Sequence, residues 1–142
     1  MANAIPAKRV RSGTHGTVWL NGELASECYG LQIKVTKNKE NVPRCGVFFE
    51  GSKLMSAKIT GSVRLYNATS RLIAAQAEAL RRGEDTEFTI VSKLDDPDAT
   101  SVQRVQVTGV SFDDLTLADW EAAKLGTIEA PFTAEDYQVL EQ

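Results

Sequence analysis

Between Ala57 and Leu94 the hydrophobic period changes twice, from two to that of a helix and back to two, which makes the unit strand, helix, strand. Ala57, Ile59, Gly61, Val63 and Leu65 alternate with Lys58, Thr60, Ser62, Arg64 and Tyr66, the pattern of a half-buried strand. At Thr69 and Ser70 a hydroxyl can accept hydrogen bonds from the first free N–H groups of a helix running from Arg71 to Leu80. Arg81, Arg82 and Gly83 end it. The arginines suit the negative end of the helix dipole, and glycine can take the left-handed conformation that closes the last turn. Period two then returns, with Phe88, Ile90 and Leu94 on one side and Glu87, Thr89 and Lys93 on the other. Leu72, Ile73, Ala77, Ala79 and Leu80 form a stripe wide enough to lie on a sheet but too narrow to be buried all round. One helix is therefore expected to cover one sheet.

A chain of 142 residues can bury about two-thirds of its unfolded surface, so one domain over residues 1–142 is expected without staples. Sixteen basic against nineteen acidic residues leave a net charge of −3, which gives no general attraction to nucleic acid or to a membrane surface. No apolar run approaches the ~20 residues of a membrane helix, and no charged-then-apolar leader appears, so a soluble chain made in the cytosol, without membrane anchoring, is expected. Cys28 and Cys45 lack CxxC spacing and read as reduced thiols.

Residues 1–16 are polar and basic, with Lys8, Arg9 and Arg11, and show neither period; they read as a flexible arm that orders against a partner, or as a frayed terminus. Thr17 to Leu20 meets Asn21-Gly22, a strong hairpin-turn signal. The return strand continues through Tyr29, Leu31, Ile33 and Val35, and if it reaches Lys39 it is long for a small domain. A protruding hairpin arm follows at about residues 38–57. Its apolar residues Val47, Phe48, Phe49, Leu54 and Met55 are expected to pack on another subunit, with a folded-back core loop as the competing reading. Beyond Leu94, an acidic turn at Asp95 to Thr100 joins the Phe88 strand to its antiparallel neighbour, Val102 to Thr108. A further short strand at Val110 to Leu117 and a last one at Thr127 to Thr133 are expected. Pro131 places the last at an edge or bulge, and residues 118–125 fit either a helical turn or a connecting segment. Strands dominate, which points to a mainly β sandwich or barrel with one flanking helix.

Catalytic chemistry finds little support. His15 is the only histidine and lies between glycines with no evident scaffold, and one His with two distant Cys lacks the clustered ligands of zinc. GxGxxG, Walker A and GxSxG motifs are absent. Asp95, Asp96 and Asp98 invite a divalent-metal reading but lack the spaced ligands and closing glutamate of an EF-hand; aspartates clustered in turns usually cap and solvate. No catalytic, cofactor-binding or metal residue is therefore expected. Gln32, Lys34, Thr36, Lys58, Thr60, Ser62 and Arg64 would share the polar face of the two long strands, which reads either as a solvated sheet face or as the lining of a shared water-filled channel.

Tyr66-Asn67-Ala68-Thr69-Ser70 and its helix, Leu94-Asp95-Asp96, Arg104-Val105, Val110-Ser111-Phe112-Asp113 and Pro131-Phe132-Thr133-Ala134-Glu135-Asp136-Tyr137 occur in an order and spacing that resembles the tail tube protein of contractile phage tails. The resemblance covers nearly the whole chain and is nearest to tube proteins of defective prophages and phage-tail-like bacteriocins. It implies the tail-tube architecture shared with haemolysin-coregulated proteins: a structural subunit, not an enzyme, that forms hexameric rings stacked into a tube inside a sheath. Long strands of neighbouring subunits would join around a lumen faced by Gln32, Lys34, Thr36, Lys58, Thr60, Ser62 and Arg64. Val47, Phe48, Phe49, Leu54, Met55 and Trp19 would lie between subunits. Implied partners are further copies, the tail sheath, baseplate and tail terminator proteins, and DNA in transit without sequence specificity. The implied location is the bacterial host cytoplasm during assembly and then the virion or phage-tail-like particle. A secretion-system tube carrying effectors is the nearest alternative, and a small metal-dependent enzyme a more distant one.

Overall fold

The computed structural model describes residues 4–141; residues 1–3 of the expected N-terminal arm and residue 142 lie outside the described residues. The strands are β1 (Gly16–Leu20), β2 (Glu23–Leu24), β3 (Cys28–Val42), β4 (Gly51–Tyr66), β5 (Phe88–Leu94), β6 (Gln103–Phe112), β7 (Thr127–Ala134) and β8 (Asp136–Glu141). One α-helix, α1 (Arg71–Arg81), stands between β4 and β5. All pairings are antiparallel, in the order β2-β1-β5-β6-β7-β4-β3, with β8 added alongside β6.

β6 joins the two halves of this sheet. Residues Arg104 to Thr108 pair with β8, whereas Ser111 and Phe112 pair with β7. Between them Gly109 sits at φ 64°, and the register with β5 slips by one residue opposite it. An ideal Cβ there would also lie 2.9 Å from the Glu135 side chain, so glycine is needed both for the conformation and for the space. The strand changes sheet at this bulge, and the two halves face one another as a mainly β sandwich that does not close.

The core follows from period two. Val18 and Leu20 of β1, Phe88 and Ile90 of β5, and Val107 and Val110 of β6 meet Ile59, Val63 and Leu65 of β4 and Ala130 and Phe132 of β7. Phe112 lies at the centre of an edge-to-face aromatic chain, 5.1 Å from Phe88 and 6.0 Å from Phe132 between ring centroids. The Phe132 ring occupies the space that a side chain on Gly61 would need.

The chain departs from its local sequence patterns at several elements. Asn21 and Gly22 do form a turn at φ 51° and 84°, but the return strand is only the two residues of β2. The long strand starts afresh at Cys28 and pairs with β4, while β1 takes β5 as its other neighbour. The separate strands expected at Val102–Thr108 and Val110–Leu117 are one strand, β6, with the Gly109 bulge inside it. β7 is not last, because the acidic tail forms β8. Pro131 is tolerated between β4 and β6 because its carbonyl, and so the side of its missing N–H, points to where β6 ends and accepts from Asp113 N–H at 2.8 Å. Residues 118–125 are an irregular connection with a turn at Ala122 and Ala123. The helix buries only Leu72 and Gln76; Leu80, expected in the stripe, is 55% exposed.

Candidate assembly site

The β3–β4 hairpin carries both groups of residues singled out in the sequence. Directly paired residues of a ladder share a face, and the register sets Gln32 beside Ser62, Lys34 beside Thr60 and Thr36 beside Lys58. Arg64 falls on the same side, opposite Gly30 on β3 and Glu129 on β7. Its guanidinium lies across Gly30, with Nη2 2.7 Å from where a Cβ would stand. The seven residues therefore do form one polar surface, with Ile59, Val63 and Leu65 on the reverse in the core. Gln32, Lys34, Thr36 and Lys58 are exposed, Thr60 and Arg64 half-buried, and Ser62 buried between its neighbours.

Beyond the body of the sandwich the same hairpin runs on, exposed on both faces, to its tip at residues 43–50. Phe48 is 92% and Phe49 76% exposed, and their rings meet edge to face at 5.2 Å. Val47, Leu54 and Met55 are also exposed, so the folded-back reading of this segment does not describe the chain. Arg44 braces the tip by donating to the Phe49 carbonyl at 3.3 Å. Trp19 is not brought to this cluster; it lies half-buried on β1, on the face opposite Val18 and Leu20.

Three strands keep a free outer edge among the described residues: the two-residue β2, β3 over its 15 residues, and β8. Between β3 and β8 the sandwich gapes. Leu31 and Ile33 of β3 face Val18, Leu94, Val105 and Tyr137 across an open cleft of about 890 Å³.

Asp96 in the acidic turn is buried, and its carboxylate works as a structural acceptor. Oδ2 takes Ser12 N–H and Oδ1 takes Asp98 N–H, each at 2.9 Å, and His15 Nε2 lies 3.9 Å from Oδ1. These backbone N–H groups, that of Asp98 first, hold the carboxyl below the ordinary aspartate range. Arg11 reaches Ser101 Oγ at 2.8 Å and Arg9 the Asp98 carbonyl at 3.3 Å, so residues 9–12 of the expected arm lie against this turn. No group of three or more metal-ligating side chains occurs among the described residues. Cys28 and Cys45 are both free thiols, and burial pushes Cys28 up. No helix is long and apolar enough to cross a membrane among the described residues.

Sequence reasoning missed one exposed apolar surface. The loop between β6 and β7 presents Trp120 at 81% and Leu125 at 82% exposure, with Leu117 nearby. It has no regular period, so only the density of large apolar residues between acidic ones could have marked it.

The family model for phage tail tube proteins matches residues 3–141. Two proteins of Bacillus subtilis (strain 168) are similar along nearly their whole length. The uncharacterized protein YqbM is 32% identical over 142 residues, and the phage-like element PBSX protein XkdM is 30% identical over 141; 98% of this chain and 96% of each relative are covered. Among solved structures, a chain of the sheath/tube terminator of an extracellular contractile injection system in its extended state superposes with a TM-score of 0.70 at 14% identity, covering 99% of both chains. A chain of the sheath–tube complex of the same kind of particle gives 0.67 at 14% identity, covering 99% of this chain and 92% of that one. The matched family is one of structural tube proteins, not enzymes. A sandwich with a long hairpin and a model match from end to end lead to one conclusion: the chain belongs to the phage tail tube protein family.

Proposed function

We propose that this tail tube subunit forms hexameric rings that stack into a hollow tube, with the polar face of β3, β4 and β7 toward the lumen. The observation that carries the reading is the outer edge of β3, unpaired along 15 residues while β4 fills its other side. So long an open edge is a template for another strand, and closing a ring satisfies every such edge at once. β8 offers another free edge, and the gaping cleft would be covered by the neighbour that pairs there. Lys34, Thr36, Lys58 and Thr60 then line a hydrated channel through which DNA, or ions after envelope puncture, pass without base-specific contacts. Similar structures come from a sheath–tube complex and a baseplate, which supports a sheath outside the tube and a baseplate at its end. Assembly would take place in the host cytoplasm before incorporation into the particle. Native mass spectrometry of the purified protein tests the ring: six chains per particle are expected, and a monomer at every concentration would refute it.

A further inference from the structure

One face of the β3–β4 hairpin carries charge that nothing within the subunit answers. Lys34, Lys58 and Arg64 share this face with Gln32, Thr36, Thr60 and Ser62, and β7 adds Glu129, Pro131 and Thr133 in register with Arg64, Ser62 and Thr60. Up to Asn38 and Ser56, beyond which the register slips, Glu129 is the only carboxylate that these three strands bring to the face. None of the three cations enters an ion pair among the described residues, even with Glu129. Cations on other elements are held: Arg71 by Glu27, Lys93 by Asp95 and Arg104 by Glu141. The chain as a whole has a net charge of −3, yet from Cys28 to Tyr66 seven basic residues stand against two acidic ones, leaving nine against seventeen elsewhere. An acidic chain thus gathers its unanswered cations on one surface.

We infer that this face binds the phosphate backbone of DNA, so that a channel lined by it grips its contents instead of leaving them free. The inference rests on the tube reading for the setting of the face and adds to it a ligand and the residues that hold it. Lys34 and Lys58 stand diagonally across the ladder, roughly 7–8 Å apart at the backbone. Arg64 lies farther along β4, about 20 Å from Lys58. A duplex presents one phosphate per about 1.7 Å of its axis, so each cation meets one wherever the duplex stands. The half-buried Arg64 guanidinium, laid across Gly30, supplies a fork of donors that suits two phosphate oxygens. Thr36, Thr60 and Gln32 add hydroxyl and amide donors of the kind that contact phosphates. Nothing on the flat sheet enters a groove, and Tyr66 is stacked on Tyr29 at 4.6 Å, so base sequence is not read. An acidic protein is the poorer fit, because between Lys34 and Arg64 the face lacks the large apolar anchors on which protein interfaces are built. With no preferred register, the grip slows DNA without arresting it, and it weakens as salt rises.

Binding of a short random-sequence DNA duplex to the purified protein, followed by fluorescence anisotropy over a series of salt concentrations, tests this. The logarithm of affinity should fall against that of salt with a slope of about −0.9 per phosphate contacted. Lys34→Gln/Lys58→Gln should make the slope shallower by about 2 for each subunit engaged and weaken binding at least about tenfold at low salt. Lys8→Gln/Arg81→Gln removes the same charge from the N-terminal segment and α1, and should bind as the unaltered chain does. All four side chains are exposed, so both variants should keep the melting temperature of the unaltered chain. A control variant that loses as much as the face variant, or an unaltered chain without salt-dependent binding, would overturn the inference. Poly-glutamate that displaces the duplex as well as unlabelled duplex does would overturn it too, and would assign the face to an acidic protein. Native mass spectrometry of the same samples separates the two readings. Rings that do not bind the duplex would bring down the grip alone. Single subunits that bind it, and lose it in the face variant, would bring down the tube reading and leave the phosphate site standing.

Discussion

Gly61 shows how a single position constrains this fold. It lies mid-strand in β4 with Ile33 on one side and Phe132 on the other. A Cβ would collide with the Gln32 carbonyl and stand 2.7 Å from Phe132 Cζ, and Phe132 is 1% exposed and cannot swing away. Gly61→Ala should therefore cost about 1–3 kcal/mol by overpacking, read as a lower denaturation midpoint; an unchanged midpoint would mean that β3 and Phe132 shift freely. The sequence shows a glycine on the apolar side of an alternating strand, but not the ring that fills its place. Asp96 is similar. A turn rich in aspartate is legible as a capping and solvating segment, yet nothing in the sequence says that the capped N–H belongs to Ser12, 84 residues earlier. Because the folded carboxyl is held below its unfolded value of about 3.9, its contribution is present above that pH and lost as pH falls through the lower folded value. Acid should thus release Ser12 and Asp98 amides together, seen as a joint NMR shift below about pH 4. Asp96→Asn should remove that joint transition, and amides that do not respond to acid would contradict the role given to Asp96.

At the scale of elements, legibility follows the strength of the local period. β4, α1 and β5 are each marked by an unbroken pattern and bounded by turn or capping residues, and all three are present. β6 reads as two strands because the Gly109 bulge shifts the alternation, and a change of phase inside one strand looks like a break between two. The β8 strand is hidden by its acidic composition, since it lies alongside β6 with all its described residues exposed. Leu80 belongs to the apolar side of a helical wheel, but the surface beneath α1, formed by residues such as Leu115, Ile128 and Ala130, ends before the last turn. At the hairpin tip two adjacent phenylalanines lie beyond the sandwich, exposed and packed only on each other. Phe48→Glu/Phe49→Glu should leave the circular dichroism spectrum and melting temperature unchanged while abolishing stacked tubes. Loss of cooperative folding in that variant would show instead that the tip supports the subunit itself.

For the whole molecule, the proposed ring would give the sandwich its full set of pairings. A 15-residue edge, a cleft between diverging sheets and an apolar tip all lie on the periphery of an otherwise well-packed core. The fold class and the shared polar face of the hairpin could be inferred from alternation alone, because a face is a local property of a strand. Which strands remain at edges, and which end of the molecule bears which charge, depends on topology that no short pattern encodes. In the proposed tube, identical copies complete the open edges. Negative-stain electron microscopy of the purified protein over a range of concentrations decides whether they do. Stacked hollow rings of uniform diameter are expected; uniform single subunits at high concentration would contradict completion by identical copies.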